Sequence, residues 1–338
     1  MKIGQHDIGY PHPVFVVAEI SGNHLGRWGR CVSLAHAAAD AGADALKVQC
    51  FTPESMTLDI DDDAHRIVWQ GRERTLFDLY RETALPLEWH RPLGLLCNTL
   101  GMEYFAAEFS RADVDHMQAI GAPCHKCASF ELTDIDLVRY MAAQGKPLIL
   151  STGMATGAEI DDTLECCEEV PVILLKCVSA YPALPENMNL AGIDVLYTYG
   201  KSGYVGLSDH SRSNAVIEAA VAMGACLVER HLTLSRADGG PDAAFSDEPA
   251  EFAAMVDCIR HTSTLLGSDR LGPTDDELPM LRYRRSLWVT ADVAQGEPFT
   301  RQNIASLRPI GGMAPGRLAE VLDIRAPRAY RMGEPLLL

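Results

Sequence analysis

The chain contains 338 residues, of which 47% are hydrophobic and 22% are charged, and its formal net charge is −17 at pH 7. This length and apolar content suffice for one large domain and one small domain. A nucleic-acid partner would require clustered lysine and arginine, so the acidic balance argues against one. The ten cysteines, together with the lack of any signal-like or membrane-spanning apolar run, lead us to expect reduced thiols, a cytoplasmic location and no membrane partner.

Eight short apolar runs follow one another along most of the chain, and helical patterns lie between most of them. The runs cover residues 14–20, 45–51, 102–109, 123–129, 147–153, 171–177, 203–209 and 226–233. Several of the helical patterns end in glycine, the usual C-terminal stop of a helix. Eight β-then-α units in about 265 residues predict an α/β fold of the (β/α)₈ type, a TIM barrel. A doubly wound open sheet is the alternative, but no G-x-G-x-x-G motif opens the first helix.

The sequence pattern changes after Gly267. Residues 268–281 contain a Gly-Pro pair, a second proline and three aspartates, which is typical of a linker. Residues 282–338 contain short strand patterns separated by Gly-Glu-Pro turns. We therefore predict a barrel over residues 1–267, a linker over 268–281 and a small β-rich domain over 282–338.

Polar side chains collect at the carboxyl ends of the predicted strands, where TIM barrels bind and transform their substrates. Three pairs of them are two residues apart and so share a face of their strand: Lys47 and Gln49, Ser208 and His210, and Glu229 and His231. Lysine and serine side chains from several strands would bind a phosphate or a carboxylate. Histidines from two neighbouring strands could share a metal ion. Each residue also has a structural interpretation: a histidine in an apolar strand is often a core residue, and Glu229 could complete an ion pair.

Seven ordered segments resemble the motifs of the sialic acid synthase (NeuB) family, whose members condense phosphoenolpyruvate with an amino sugar. The segments are VVAEISGNHLG, AGADALKVQCF, KCASFELTDIDLVRYMAAQGKPLILSTGMAT, ILLKCVSAYPA, VGLSDHS, ERHLTL and GGPDAAFSDEP. The tail, from RRSLWVTADVAQGEPFTRQNI to RMGEPLLL, is similar to the family's antifreeze-like SAF domain, a β-clip fold. The long insert after the second strand and the SFE sequence after the fourth resemble the pseudaminic acid synthase branch.

The resemblance implies a role for each matching residue. It assigns the metal to His210 and His231, the catalytic carboxylate to Glu19, and an arginine that enters a partner's active site to Arg308. The residues that it assigns to substrate binding or to the surroundings of metal and sugar are Lys47, Gln49, Lys126, Ser129, Glu131, Ser151, Tyr181, Ser208 and Asp242. Ser179, at the end of the sixth predicted strand, is added to the substrate-binding candidates because of its position. The expected cofactor is a divalent metal ion such as Mn²⁺, Mg²⁺ or Co²⁺, and the expected assembly is a domain-swapped homodimer.

The reaction implied by the resemblance is that of a transferase. Phosphoenolpyruvate would join an open-chain amino sugar, with 2,4-diacetamido-2,4,6-trideoxy-altrose expected, to give pseudaminic acid and release phosphate by C–O cleavage. N-acetylneuraminate synthase, legionaminate synthase and a related enzyme acting on a different amino sugar remain alternatives. Two further alternatives are a non-catalytic protein that binds sugars or anions and an aldolase with a Schiff-base lysine at Lys47 or Lys126.

This chain departs from the family pattern at two places of chemical interest. After the third strand, Ala106 and Ala107 replace small hydroxyl residues and Glu108 replaces a proline. In the predicted SAF domain, Ile310 replaces the glycine that usually follows Arg308 and proline. These changes could weaken phosphate binding or indicate a different sugar.

The insert after the second strand, from Thr52 to about Arg74, is longer than most loops of a compact domain, as lids and binding elements tend to be. Its aspartate-rich residues 59–63 are interpreted as a solvated turn. Within the insert, Trp69 stands beside Gln70 and Gly71, and its ring could pack on the methyl face of a 6-deoxy sugar. We therefore expect Trp69 to contact the sugar rather than phosphoenolpyruvate.

Overall fold

Eight parallel strands close into a barrel within the first of two units of the chain, Met1–Gly267. The structure is a computed structural model that describes residues 1–69, 71–199, 203–268 and 270–338. The barrel strands, numbered in chain order, are β1 (Phe15–Glu19), β2 (Ala45–Cys50), β3 (Glu103–Glu108), β4 (His125–Cys127), β5 (Leu148–Ser151), β6 (Val172–Cys177), β7 (Val205–Asp209) and β8 (Leu227–His231). Each strand pairs with the next, and β8 pairs with β1. The predicted (β/α)₈ barrel is confirmed, and the open sheet is excluded.

Helices separate the strands and cover the outside of the barrel. They are α1 (Trp28–Asp40), α2 (Leu87–Thr99), α3 (Arg111–Ile120), α4 (Ile135–Ala142), α5 (Gly157–Glu165), α6 (Gly192–Tyr199), α7 (Asn214–Ala222) and α8 (Pro249–Leu266). Local sequence sets their ends. For example, the Ser110 side chain accepts the Asp113 N–H at the start of α3, and Gly121 ends α3 with φ of 87°, which favours glycine.

The barrel strands are apolar on both faces because one face lines the barrel and the other packs under the helices. All five residues of β1, of β7 and of β8 are buried. The helices are apolar on one face only. In α1 the buried residues are Cys31, Leu34, Ala35 and Ala38, at the spacing of three and four that places side chains on one side of a helix. Charged residues buried at the strand ends are therefore exceptions within an apolar core.

The insert between β2 and α2 has regular structure of its own. A short helix (Pro53–Met56) precedes an antiparallel pair of strands, Arg66–Trp69 and Arg72–Thr75, here named the insert hairpin, and a second helix (Leu76–Thr83) follows. The Trp69 indole Nε1 donates to the Pro241 carbonyl at 2.7 Å. Because Pro241 follows β8, this bond ties the hairpin to the carboxyl ends of the strands. Gln70 lies outside the described residues.

The second unit, Ser268–Leu338, has its own small core. Two antiparallel strands, Ser286–Val289 and Ile304–Leu307, form its sheet. Isolated bridges add further β pairing: Trp288 with Pro335, Val293 with Tyr330, and Pro298 with Arg325. The 3₁₀ helix Leu278–Tyr283 crosses residue 282, where we predicted the domain to begin, so regular structure starts inside the predicted linker. No helix among the described residues is long and apolar enough to span a bilayer.

Candidate active site

A cavity of about 510 Å³ lies at the carboxyl ends of the barrel strands. Most of the residues predicted for the site line it, namely Lys47, Gln49, Lys126, Ser129, Glu131, Ser151, Ser179, Tyr181, Ser208, His210, His231 and Asp242. Two predicted residues are not among its lining. Glu19 lies behind Lys47, and Arg308 is an exposed residue of the second unit, directly after the strand Ile304–Leu307.

Three buried charges, Glu19, Lys47 and Glu229, form an ion cluster on one side of the cavity. The Lys47 Nζ contacts Glu19 Oε2 and lies 3.4 Å from Glu229 Oε1, which also accepts the Ser208 hydroxyl at 3.0 Å. Burial alone would lower the pKa of Lys47, but the two carboxylates outweigh it and raise that pKa. Burial raises the pKa of Glu229, yet the positive charges of Lys47 and Lys126 hold it below its usual range. Glu229 thus completes an ion pair and also lines the cavity.

Lys126 is buried in a different environment. Its Nζ donates to the Cys127 carbonyl and to the Ser151 hydroxyl, both at 2.7 Å, rather than to a carboxylate. Burial therefore dominates and lowers the pKa of Lys126, although the Glu229 charge opposes this. An anion that entered the cavity would stabilise the ammonium form of Lys126.

A glycine and two serines form a small polar surface, here named the serine–glycine cradle, beside Lys126. The Gly153 N–H donates to the Ser129 hydroxyl at 3.1 Å, and the Ser179 hydroxyl is buried without a hydrogen-bond partner among the described residues. A Cβ on Gly153 would lie 2.3 Å from Ser179 Oγ and 2.7 Å from Ser129 Oγ. Sequence analysis missed Gly153. A glycine that directly follows hydroxyl residues at a strand end can indicate a place where the backbone comes close to a ligand.

His210 and His231 lie side by side, with ring centroids 5.3 Å apart. The His210 Nδ1 lies 2.9 Å from the Val178 carbonyl, which can only accept, so in the neutral form of the ring Nδ1 carries the proton and Nε2 keeps its lone pair. Burial lowers the pKa of His231 and favours its neutral form, which metal ligation requires. For His210 burial also lowers the pKa, but the contact with the Cys177 thiol and the Val178 carbonyl raise it above its usual value.

The histidine pair fits a divalent ion only as a partial ligand set. Within the parts of the chain that the structure describes, no three His, Cys, Asp or Glu side chains converge on one point. Two imidazoles would therefore hold the ion, and water and substrate oxygens would take the remaining positions. The Nδ1 of His231 is buried without a hydrogen-bond partner among the described residues, so the histidine pair is not fully satisfied by the protein.

Two further carboxyl groups in the cavity titrate near neutral pH. Burial raises the pKa of Glu131 to about 7 and the pKa of Asp242 to about 6. Asp242 accepts the Gly22 N–H at 2.9 Å, whereas Glu131 Oε2 is buried with no partner among the described residues. A carboxyl group that is protonated near pH 7 can donate a hydrogen bond to a ligand carbonyl.

The opposite wall of the cavity is apolar. Its side chains come mainly from the insert and from the ends of β2, β3 and β4: Phe51, Met56, Ile67, Trp69, Leu76, Leu79, Phe109 and Phe130. The ring of Trp69 also packs on Tyr181, with centroids 5.7 Å apart. Sequence analysis identified Trp69 but missed Phe109 and Phe130. Ala107 lines the cavity as well, so the replacement of hydroxyl residues by alanine leaves no donor at that position.

The fold and the cavity define a (β/α)₈-barrel protein whose strand ends enclose two buried lysines and a pair of neighbouring histidines. Residues 34–270 match the model of the NeuB family, and the chain belongs to this family, as predicted. It is 36% identical to pseudaminic acid synthase of Campylobacter jejuni, over 96% of this chain and 95% of that protein. It is 31% identical to N,N'-diacetyllegionaminic acid synthase of Legionella pneumophila, over 96% of this chain and 93% of that protein.

A solved structure supports the same relationship. The N-acetylneuraminic acid synthetase of Leptospira borgpetersenii serovar Hardjo-bovis, in complex with citrate, matches with a TM-score of 0.75 and 29% identity. The match covers 83% of this chain and 94% of that chain. The likeness therefore extends over nearly all of the solved relative.

The first prediction concerns the serine–glycine cradle. In the variant Gly153→Ala, the new methyl group should turn the Ser129 and Ser179 hydroxyls away from the cavity, and the protein should remain folded. If the cavity binds phosphoenolpyruvate, as the family resemblance implies, its dissociation constant should rise about tenfold in titration calorimetry, as for the loss of one or two hydrogen bonds. Gly29→Ala is the matched control, because no atom lies within 4 Å of its Cβ. Unchanged affinity in Gly153→Ala would mean that the cradle does not contact the anion.

Proposed function

We propose that the protein is a transferase that condenses phosphoenolpyruvate with an open-chain amino sugar to form a nonulosonic acid. The observation that carries this proposal is the presence of Lys47, Lys126 and the histidine pair in one cavity. Two cationic side chains suit a phosphate and a carboxylate, and two imidazoles suit a divalent ion. Membership of the NeuB family supports the class of reaction.

Phosphoenolpyruvate has two anionic groups, and the cavity has two lysines. We assign its phosphate to Lys126, the Ser151 hydroxyl and the serine–glycine cradle, because Lys126 has no carboxylate as its hydrogen-bond partner. We assign its carboxylate to the side of Lys47 and Ser208. Positioning by fixed charges in a buried cavity accounts for much of the rate enhancement in such a reaction.

The proposed chemistry joins C3 of phosphoenolpyruvate to the sugar and replaces the phosphate at C2 by an oxygen from water. C3 attacks the aldehyde carbon, and the aldehyde oxygen takes up a proton and becomes a hydroxyl. Water adds to C2, and the bond from C2 to the phosphate oxygen then breaks with both electrons leaving on phosphate. C2 becomes the ketone of the product, and the two protons of the water balance those taken up by the new hydroxyl and by phosphate. A divalent ion held by His210 and His231 would supply Lewis-acid polarisation of the aldehyde. Glu19 accepts a proton from the added water. Its Oε2 becomes free to do so when Lys47 turns from Glu19 toward the anionic substrate.

The sugar that the cavity suits best carries both amide and methyl groups. Glu131, whose pKa is raised to about 7, can donate to an acetamido carbonyl, and the apolar wall can accommodate a methyl group. These features and the similarity to a pseudaminic acid synthase support 2,4-diacetamido-2,4,6-trideoxy-altrose as the acceptor and pseudaminic acid as the product. The alternative acceptors are those of legionaminate or N-acetylneuraminate synthesis, or another amino sugar.

The second prediction tests the reaction and the sugar together. The protein is incubated with Mn²⁺, a panel of amino sugars and phosphoenolpyruvate labelled with ¹⁸O at the bridging oxygen. We expect mass spectrometry to find a nine-carbon keto acid with the diacetamido trideoxy sugar and the label in phosphate. Label retained in the sugar acid would contradict C–O cleavage, and the absence of product with every sugar would favour a binding protein.

A Schiff-base aldolase is the second candidate, favoured by one observation. Burial lowers the pKa of Lys126, and a neutral amine is what imine formation requires. Borohydride added during turnover would then link the substrate covalently to Lys126. We expect no such adduct in mass spectra of the protein, because the proposed reaction uses the ammonium form.

The third prediction concerns Trp69, whose ring lines the apolar wall. Trp69→Ala should raise the KM of the sugar about tenfold, or ~1.4 kcal/mol, while the KM of phosphoenolpyruvate changes little. Trp69→Phe is the matched variant: it keeps an aromatic ring but loses the bond to the Pro241 carbonyl, and it should retain most of the affinity. Equal increases in both KM values would indicate that Trp69 only supports the insert hairpin.

We also propose that the protein works as a domain-swapped homodimer in which the second unit, as an SAF domain, contributes Arg308 to the partner's cavity. Residues 282–338 contain nine arginines, no lysine and five acidic residues, although the whole chain has a net charge of −17. Opposite charge on two parts of one chain favours their association. A guanidinium can donate to an acetamido carbonyl of the sugar.

The fourth prediction tests this arrangement by complementation. His210→Ala and Arg308→Ala should each be nearly inactive alone. When they are unfolded, mixed and refolded together, random pairing makes about half of the dimers mixed, each with one intact site, so roughly a quarter of wild-type activity should return. If mass spectrometry confirms the mixed dimers and no activity returns, Arg308 does not act in the partner's site.

A further inference from the structure

The strand that carries Lys126 is weakly held on one side. β4 has only three residues, and its register with β3 contains a single pair, Ala107 with Lys126. On its other side, β4 pairs with β5 over all three of its residues. Contacts between β3 and β4 outside this short ladder can therefore help to fix the position of Lys126 at the cavity.

A buried carboxylate supplies one such contact. Glu108, the last residue of β3, is fully buried, and its Oε2 accepts the backbone N–H of Lys126 at 3.2 Å. Its other oxygen, Oε1, lies 2.8 Å from Nδ1 of His125, which is also fully buried. The carboxyl group of Glu108 thus accepts the Lys126 N–H, as a carbonyl of a neighbouring strand would. The His125 ring contacts the other oxygen of the same carboxyl group.

The orientation of the strand separates these groups from the substrate cavity. Successive side chains of a strand point to opposite faces, so His125 and Lys126 face different sides of β4. Lys126 lines the cavity, whereas neither Glu108 nor His125 is among its lining residues. Burial raises the pKa of Glu108, and the hydrogen bonds from His125 and from the Lys126 N–H oppose that rise. Neither group can contact the substrate directly.

We propose that Glu108 and His125 are positioning residues that set the place of Lys126 in the cavity, an inference that rests on the proposed function. A chain of two contacts runs from the His125 ring through the Glu108 carboxyl group to the backbone of Lys126. From there the Lys126 ammonium reaches the Ser151 hydroxyl on β5. A small displacement of a substrate-binding group lowers both affinity and rate, so these two residues act on phosphoenolpyruvate without touching it.

The fifth prediction compares variants of this pair. Glu108→Ala removes the acceptor, and we expect the dissociation constant and the KM for phosphoenolpyruvate to rise roughly tenfold to a hundredfold, with little change in the KM of the sugar. Glu108→Gln keeps an oxygen for the Lys126 N–H and should stay within about threefold of wild type. His125→Asn keeps a donor in place of Nδ1 and should be milder than His125→Ala.

A second carboxylate of the barrel provides a matched control. Asp44 Oδ2 accepts the Val16 N–H of β1 at 2.7 Å and pairs with Arg260 at 2.8 Å, but it precedes β2 at the opposite end of the barrel. Asp44→Ala removes the same kind of contact far from the cavity. It should lower the unfolding temperature without changing the affinity for phosphoenolpyruvate.

The outcomes separate this inference from the proposed function. Wild-type protein that does not bind phosphoenolpyruvate in calorimetry would overturn both. If wild type binds and folded Glu108→Ala binds equally well, or if both substrates lose affinity equally, only the positioning role is overturned. If Glu108→Ala does not fold, His125→Ala and His125→Asn take its place in the test, because both keep the Glu108 carboxylate. If His125→Ala then binds phosphoenolpyruvate as well as His125→Asn and wild type do, the positioning role is overturned.

Discussion

The ion cluster of Glu19, Lys47 and Glu229 is the constraint that links the closure of the barrel to its cavity. Buried charges cost several kcal/mol each to remove from water and are tolerated only when they are paired. Here the pairs join β8, β1 and β2, the strands on both sides of the point where the barrel closes. In the strand register, Glu19 lies opposite both His231 and Lys47. His231 and Lys47 therefore lie at the same level of the strand register, on either side of Glu19. A shift in the register of β8, β1 or β2 would separate the charges of the ion cluster.

Much of the barrel could be predicted because its strands are short, continuous apolar runs and its site residues follow those runs. The role of each carboxylate could not be predicted. Glu19 and Glu229 both lie at strand ends, but the tilt of the strands decides which one lines the cavity, and sequence spacing does not reveal that tilt. The contact of Trp69 with Pro241 escaped prediction for a related reason, since it joins residues that are distant in the chain. Gly153 was missed because its importance appears only when the positions of two serine hydroxyls are known.

Lys47 and Lys126 are identical side chains whose pKa values shift in opposite directions because their surroundings differ. Lys47 has two carboxylates beside it and keeps its charge, whereas Lys126 has neutral oxygens beside it and is more easily deprotonated. An anion bound between them would give Lys126 a negatively charged partner and would compete with Glu19 for the ammonium group of Lys47. In the proposed reaction, substrate binding would thus be coupled to the release of the Glu19 carboxylate, which could then accept a proton. This coupling needs no movement larger than the rotation of one lysine side chain.

The unsatisfied polar atoms of the chain give an independent reason to place the chemistry in this cavity. Buried polar atoms in folded proteins are usually hydrogen-bonded, so each exception requires an explanation. Among the described residues, Ser179 Oγ, Glu131 Oε2, Glu229 Oε2 and His231 Nδ1 are exceptions, and all four belong to residues that line the cavity. Other residues with such atoms lie outside the cavity lining, among them Asn23, His90, His116, Gln118 and His125, so a missing partner does not by itself mark a binding site. The four cavity residues differ from these because they border an open space, where a polar substrate with several oxygens could supply the missing hydrogen bonds.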